Sequence, residues 1–129
     1  MFGPGDPIPS FFVRSAANPR YSFDSVAGRY VVLSFIASSR VPGIDEFCAK
    51  LYADTRFFDD IFASAFIVSN DPQDEQKGKF ADRYPGIRVF WDHDRALARM
   101  FGCHQTTRQG GERISLVSWI LDPGLRVLK

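Results

Sequence analysis

The stretch Tyr30-Val31-Val32-Leu33-Ser34-Phe35-Ile36 decides the fold of this 129-residue chain. The run is too short for an independent helix, is rich in β-branched and aromatic residues, and follows a glycine-containing break at 27–29. A short, continuous apolar run of this kind is typical of a strand that is buried on both of its faces. The sequence therefore predicts that residues 30–36 form the central strand of a sheet.

Helical and strand patterns alternate on the C-terminal side of this run. Apolar side chains recur at helical spacing from Ile44 to about residue 62, and two acids lie in the first turn, where the helix dipole favours negative charge. Residues 63–69 again have strand character. At Asp71 a capping acid precedes a proline, which predicts a helix that runs to about residue 83.

A third strand and helix follow. Residues 87–91 predict a strand, and Asp92 is placed to cap a helix that Gly102 ends. The resulting order β-α-β-α-β-α predicts one α/β domain over residues 1–129.

The sequence predicts a β-hairpin at each end of the chain. Residues 10–13 and 21–23 are short apolar or alternating runs that predict an N-terminal hairpin. Residues 104–111 are polar and contain paired glycines, which predicts an exposed loop. Residues 115–121 predict a strand, and the turn signal at 122–124 predicts that residues 125–128 return beside it.

Composition and charge narrow the classes of function. The chain is 45% hydrophobic and 24% charged, as in ordinary globular proteins, and its 13 phenylalanines predict an aromatic core. A net charge of +1, with no long block of either sign, argues against nucleic acid or an anionic membrane as a partner. No signal-peptide pattern or membrane-spanning run is present, and 2 cysteines are too few for a secreted disulfide framework. We therefore expect a cytoplasmic protein.

Several segments, in order and with matching gaps, resemble a peroxiredoxin of the alkyl hydroperoxide reductase/thiol-specific antioxidant (AhpC/TSA) superfamily. They are residues 5–11 (Gly-Asp-Pro-Ile-Pro-Ser-Phe), residues 26–35, the Asp71-Pro72 helix start, Met100-Phe101-Gly102, and residues 119–123 (Trp-Ile-Leu-Asp-Pro). The resemblance covers nearly the whole chain. It implies a thioredoxin-like fold, in which helices flank a central mixed β-sheet and the N-terminal hairpin is an extension.

The catalytic motif of that family has no match here. Its loop after the central strand carries Pro-x-x-x-Thr-x-x-Cys, and the free N–H groups at the start of the next helix stabilise the thiolate that attacks a peroxide. The proline, threonine and cysteine positions hold Ala37, Val41 and Ile44. The arginine that polarises the peroxide aligns with Leu116. None of these side chains can do the missing work, so we expect a binding or interaction domain without peroxidase activity.

Other polar side chains remain candidates for chemistry. Cys48, one turn beyond Ile44, is either a small buried hydrophobe or the nucleophile of a divergent thiol oxidoreductase, and its apolar helix face favours the first interpretation. Ser38, Ser39 and Arg40 could form an anion pocket at the helix start, although such a pocket is a normal by-product of the fold.

Cys103 and His104 are structural, form a reactive pair, or are half of a metal site completed by residues 92–94. Two adjacent ligands have poor geometry for one ion, and residues 92–94 read as a helix cap, so the structural interpretation is favoured. We expect no metal and no cofactor.

The chain ends directly after the predicted C-terminal hairpin, where a thioredoxin-like domain normally adds a helix. We therefore expect that helix to be missing and residues 1–129 to be the N-terminal part of a longer protein. Residues 14–21 and 122–128 are similar to those of redoxin-like domains that precede 2-oxoglutarate/iron oxygenase domains in some bacterial proteins. The expected partners are a downstream catalytic domain of the same protein or a second copy of the chain.

Overall fold

A six-stranded mixed sheet forms the centre of the molecule, which we describe from a computed structural model. The structure describes residues 2–15, 18–36, 39, 43–53, 63–76, 87–102, 104–106, 112–114 and 117–128. The strands of this sheet are β1 (Phe12–Ser15), β2 (Tyr21–Ser22), β3 (Tyr30–Ile36), β4 (Ala63–Ser69), β5 (Arg88–Trp91) and β8 (Val117–Leu121). The strands β6 (His104–Thr106) and β7 (Glu112–Ile114) form a separate two-stranded ribbon. The helices are α1 (Ile44–Ala53), α2 (Pro72–Gln76) and α3 (Ala96–Met100), and a 3₁₀ turn spans Phe23–Val26.

The large sheet has the strand order β2-β1-β5-β4-β3-β8. β3, β4 and β5 are parallel neighbours, with Tyr30 opposite Ala63 and Ile36 opposite Ser69, whereas β1 and β8 join the sheet antiparallel. The bounds predicted for the central strand and for β4 are confirmed. Because the three central strands are parallel, their carboxyl ends lie at one edge of the sheet, which is where ligands bind in many α/β folds.

Alternating side chains give the sheet two buried faces, because successive residues of a strand point to opposite sides. One face is aromatic, as predicted: Phe66 and Phe90 stack with 5.0 Å between ring centroids, and Phe23 packs edge-on against both. Leu97 and Ala98 of α3 join this aromatic cluster. The opposite face carries a second cluster, which is mostly aliphatic and to which Ile44 and Cys48 of α1 contribute. We call it the aliphatic cluster, and its members are Ile36, Ile44, Cys48, Ala65, Ile67, Ile87, Val89 and Trp91. Helices therefore pack on both faces of the sheet.

The helix ends follow the sequence signals. Asp71 caps α2, since its carboxylate accepts the N–H of Gln73 at 2.9 Å, and Pro72 is the first helical residue. Gly102 follows α3 with a φ of 69°, which glycine adopts without strain. The predicted continuations of α1 to residue 62 and of α2 to residue 83 lie outside the described residues. None of the helices in the described ranges is long and apolar enough to cross a membrane.

Two predictions for the C-terminal part are corrected. β6 pairs with β7 antiparallel, so the predicted loop is wrong for residues 104–106. A short ribbon needs only backbone hydrogen bonds, so the polar sequence gave no strand signal. The predicted return strand is reduced to isolated bridges, Val127 with Leu121 and Arg126 with Pro7. These bridges join the N-terminal segment to the edge strand β8.

Candidate functional site

The start of α1 holds an isoleucine where the family resemblance expects the reactive cysteine. Ile44 is the first residue of α1, and it is 3% exposed. Its side chain belongs to the aliphatic cluster with Ile36 and Ile67 of the sheet. A branched hydrocarbon cannot act as a nucleophile or donate a hydrogen bond to a peroxide. The other three vacant positions, Ala37, Val41 and Leu116, lie outside the described residues.

Cys48 lies one turn beyond Ile44 and is fully buried. Its relative exposure is 0%, and it is not part of a disulfide. Ala65, Ile87 and Val89 belong to the same aliphatic cluster. A fully buried sulfur cannot meet a substrate unless the helix moves away from the sheet. This placement favours a structural role for Cys48.

The carboxylate of Asp74 accepts hydrogen bonds from both donors of Ser39. The Ser39 N–H donates to Asp74 Oδ2 at 2.9 Å, and the Ser39 hydroxyl donates to Oδ1. The hydroxyl of Ser69, the last residue of β4, also donates to Oδ2, at 2.7 Å. Ser39 is the member of the predicted anion pocket that the structure describes, and it is thus already bonded to a protein carboxylate. Ser38 and Arg40 lie outside the described residues, so the pocket as a whole stays a prediction.

A second polar cluster joins three elements at the edge where the parallel strands end. Arg14 comes from β1, Glu75 from α2, and His93 from the loop after β5. Arg14 Nη1 donates to Glu75 Oε2 at 2.6 Å, and Arg14 Nη2 lies 3.1 Å from His93 Nδ1. We call these three residues the Arg14 cluster. It ties β1 to α2 and to the loop after β5.

The contact with Arg14 fixes the tautomer of His93. A guanidinium can only donate hydrogen bonds, so Nδ1 must accept, and the proton of the neutral imidazole lies on Nε2. Nε2 is 3.6 Å from Glu75 Oε1, which is an ion-pair separation but too long for a hydrogen bond. Nε2 is buried and has no hydrogen-bond partner within the described residues. His93 is therefore a donor with unused capacity.

Asp92 organises the loop beside this cluster. Its carboxylate accepts the N–H groups of Leu97 at 3.0 Å and Ala98 at 2.9 Å, which confirms the predicted capping role. Asn70 Nδ2 donates to the same carboxylate at 3.0 Å. Burial is the largest cause of the raised pKa of Asp92; the backbone hydrogen bonds oppose it, and the charge of Asp94 adds to it. Arg95, just before α3, adopts the left-handed conformation with a φ of 62°.

A cleft of about 370 Å³ opens where the pairing of β1 with β5 ends. Arg14 pairs with Trp91, and beyond this pair the two chain segments separate. The cleft is lined by Phe12, Val13, Arg14, Trp91, Asp92, His93, Asp94, Ala96 and Leu97. Its volume lies in the range of small-molecule sites. Its walls combine two aromatic rings with charged groups, so it is a candidate binding site.

The side chains around the cleft do not form a metal centre. No group of three or more histidine, cysteine, aspartate or glutamate side chains in the described ranges is arranged to hold an ion. His93 cannot ligate through Nε2 while Nδ1 accepts from Arg14, because Nε2 then carries the proton. The metal interpretation considered for Cys103 and His104 is not tested, since Cys103 and the side chain of His104 lie outside the description.

With this geometry in place, the chain can be assigned to a class and a family. A mixed sheet with three parallel central strands, helices on both faces and an added N-terminal hairpin defines a peroxiredoxin-like domain with the thioredoxin-like fold. The sequence matches the AhpC/TSA family over residues 4–124. The chain therefore belongs to the AhpC/TSA family.

Solved peroxiredoxins share this fold at low sequence identity. The peroxidoxin BcpB of Mycobacterium tuberculosis is 21% identical with a TM-score of 0.84, covering 100% of this chain and 84% of its own. A cysteine-to-serine mutant of the PrxQ of Xylella fastidiosa is 16% identical with a TM-score of 0.86 and the same coverage. A cysteine-to-serine mutant of the peroxiredoxin 6 of Arenicola marina is 16% identical with a TM-score of 0.81, covering 98% and 63%. No curated protein matches the chain significantly.

Sequence patterns did not reveal the Arg14 cluster. Its hydrogen bonds join residues 61 and 79 positions apart, and no local pattern links a strand arginine to an acid on a distant helix. One signal was present: the Asp92-His93-Asp94 run directly after a buried strand places titratable groups at the edge where the parallel strands end. From this run the sequence predicts a helix cap and, as an alternative, the completion of a metal site, but not the contact with Arg14.

Proposed function

We propose that this protein is an AhpC/TSA-family domain that has lost cysteine-based peroxidase chemistry and works as a binding or interaction domain. The burial of Ile44 at the first position of α1 carries the proposal. In the family, this helix start supplies the N–H groups and positive partial charge that activate a thiolate. Here the same position packs an apolar side chain into the core, so the activating environment has no sulfur to act on.

Further observations support this reading. The sequence has Ala37, Val41 and Leu116 at the positions that would hold the proline, the threonine and the arginine of the family motif. A change at the cysteine alone would leave a pocket able to bind a peroxide. Changes at all four positions remove the nucleophile together with the groups that orient and polarise its substrate.

The second candidate function is a divergent thiol oxidoreductase that uses Cys48. The observation in its favour is that Cys48 lies on α1, one turn from the position of the family's reactive cysteine. The complete burial of Cys48 weighs against it. The two functions differ in whether activity depends on a thiol.

The binding partners belong to the same proposal. Tyr30, Ile120 and Leu128, which we call the apolar patch, are 50%, 37% and 47% exposed. Large apolar side chains that remain this accessible favour contact with another protein surface. A second copy of the chain and a downstream 2-oxoglutarate/iron oxygenase domain are the proposed partners, in a cytoplasmic setting.

Peroxide consumption tests the proposed function. The protein is mixed with hydrogen peroxide or cumene hydroperoxide and a thioredoxin system or dithiothreitol as the electron donor. We expect the same rate as for a Cys48→Ala, Cys103→Ala double variant, since Cys48 is buried and Ile44 lies at the start of α1. Thiol-dependent turnover above that control would refute the proposal, and its loss in Cys48→Ala alone would establish the second candidate.

A further inference from the structure

The cleft between β1 and the loop after β5 has unused hydrogen-bond donors. Arg14 uses one N–H of Nη1 for Glu75 and one of Nη2 for His93, while its side chain is 46% exposed. A guanidinium has five N–H donors, so its capacity exceeds these two contacts. His93 Nε2 is buried and lies 3.6 Å from Glu75 Oε1, so of these two side chains it is Arg14 that offers accessible donors to the cleft.

Of the two carboxylates that line the cleft, Asp92 is buried and engaged by several donors, whereas Asp94 is exposed and accepts one hydrogen bond. Asp92 accepts two backbone N–H groups of α3 and the amide of Asn70. Asp94 Oδ1 accepts the N–H of Ala96 at 3.1 Å, and Asp94 is exposed to solvent, which screens its charge. Arg14 therefore keeps N–H donors beyond its two contacts, while of the two carboxylates it is the exposed one of Asp94 that keeps acceptor capacity.

Apolar surface lies directly beside these donors. Phe12 is 58% exposed, and the guanidinium of Arg20 lies 4.3 Å from the centre of its ring. Trp91 and Leu97 form the inner wall. A ligand that enters past Phe12 thus meets the guanidinium of Arg20 at the entrance. It then contacts Trp91 and Leu97 and reaches the guanidinium of Arg14.

We propose that this cleft binds a small molecule that carries a carboxylate or a similar oxyanion on an aromatic or branched apolar body. The oxyanion pairs with Arg14, and the body packs against Phe12 and Leu97. Glu75 shows the geometry from within the protein, since its carboxylate already lies 2.6 Å from Arg14 Nη1. A ligand oxyanion therefore competes with Glu75 for the same guanidinium. The inference builds on the proposed binding role but concerns a site remote from Ile44.

Titration of the full chain with three matched probes tests the charge preference. Phenylacetate, phenylacetamide and phenethylamine share a ring but carry negative, no and positive charge. Binding is followed by the ¹H–¹⁵N shifts of residues 12–14 and 91–97. We expect saturable shifts with phenylacetate and about tenfold weaker binding of phenylacetamide, a difference of about 1.4 kcal/mol, because a neutral amide oxygen accepts a weaker hydrogen bond from a guanidinium than a carboxylate does. Binding of phenethylamine as tight as that of phenylacetate, or no saturable shift with phenylacetate, would overturn the proposal.

Variants test the assignment to Arg14. Arg14→Met and Arg14→Lys should each weaken phenylacetate binding, because lysine retains the charge but loses the planar set of donors. Glu75→Gln should strengthen it by removing the competing carboxylate. Arg29→Met, at the opposite edge of the sheet, should leave affinity unchanged. Weaker binding in Glu75→Gln, in a variant whose spectrum shows an intact fold, would contradict the proposed competition.

The binding result and the peroxidase result are independent. Peroxide turnover with unchanged phenylacetate binding would refute only the proposed function. Absence of turnover together with absence of phenylacetate binding would refute only the ligand site.

Discussion

Ile44 and Cys48 lie one turn apart on α1, and both side chains pack into the aliphatic cluster on the same face of the sheet. The first residue is an isoleucine at the helix start, where the family resemblance predicts the reactive cysteine. The second places the nearby sulfur in the core. Both residues thus belong to the core, and under the proposed function α1 serves as a structural element of the AhpC/TSA fold.

Native Cys48 should react slowly with thiol reagents. In a Cys103→Ser variant, whose only thiol is Cys48, we expect a maleimide to label the native protein at least about tenfold more slowly than the urea-unfolded protein, because reaction requires an opening of the core. The measurement is a time course by mass spectrometry. A Cys48→Ser, Cys103→Ser variant gives the background. Equal labelling rates of the native and the unfolded protein at neutral pH would instead favour the hypothesis of a thiol oxidoreductase that uses Cys48.

Removal of the Asp92 carboxylate should destabilise the fold. Asp92→Ala leaves two buried N–H groups of α3 without an acceptor, and we expect a loss of about 1–3 kcal/mol in the free energy of unfolding. Asp94→Ala is the matched control, because Asp94 caps the same loop from an exposed position. Its loss should not exceed about 1 kcal/mol. Urea unfolding measures both values, and equal losses would show that burial of the carboxylate does not matter.

Stability should also depend on pH through Asp92. Its pKa in the folded protein is raised above the ordinary value of 3.8, chiefly by burial. A raised carboxyl pKa favours the folded state while the group is protonated, and this advantage is lost as the pH rises from below 3.8 through the folded-state pKa. The penalty of Asp92→Asn relative to the natural protein should therefore shrink as the pH rises. Urea unfolding from acid to neutral pH tests this, and a penalty that grows with pH would contradict it.

The surface ion pair between Arg14 and Glu75 should contribute little to stability. Both side chains are partly exposed, at 46% and 31%, so solvent and salt screen their attraction. A double-mutant cycle with Arg14→Met and Glu75→Gln should give a coupling of about 0.2–1 kcal/mol that falls as salt is added. A larger, salt-independent coupling would assign the Arg14 cluster a structural role and not a binding one.

The sheet could be predicted from sequence because its signals are local. The apolar run of β3 and the Asp71-Pro72 step each carry their own physical cause, namely burial on two faces and a capped helix start. The ribbon formed by β6 and β7 has no such signal, because polar residues can make backbone hydrogen bonds without an alternating pattern of apolar side chains.

The Arg14 cluster could not be predicted from the sequence for a different reason. Its members meet only after β1 has paired with β5 and α2 has been placed at the sheet edge. Ser39 and Asp74 show the same limit, since their contact depends on how the residues after β3 meet α2. Such contacts follow from the tertiary arrangement and not from any segment alone.

The chain should self-associate through the apolar patch. Ile120 lies opposite Val32 on the sheet, and the Leu128 N–H donates to the Ile120 carbonyl at 2.8 Å, so two members of the patch are held together by the backbone. Each fully buried side chain of this size is worth about 1.5–3 kcal/mol, and an apolar patch can pack on its own copy across a two-fold axis. Because such a pair of patches is far smaller than the roughly 1,600 Å² of a standard interface, we expect a weak dimer.

Sedimentation equilibrium over a dilution series measures this association. Ile120→Thr preserves strand propensity while it removes apolar surface, and combined with Tyr30→Thr it should shift the protein towards monomer. Tyr52→Thr is the matched control, because Tyr52 is also exposed, at 40%, but lies on α1. A strict monomer at the highest concentration would show that the patch is not used between copies. Equal weakening by Tyr52→Thr would place the contact on α1 and not on the sheet.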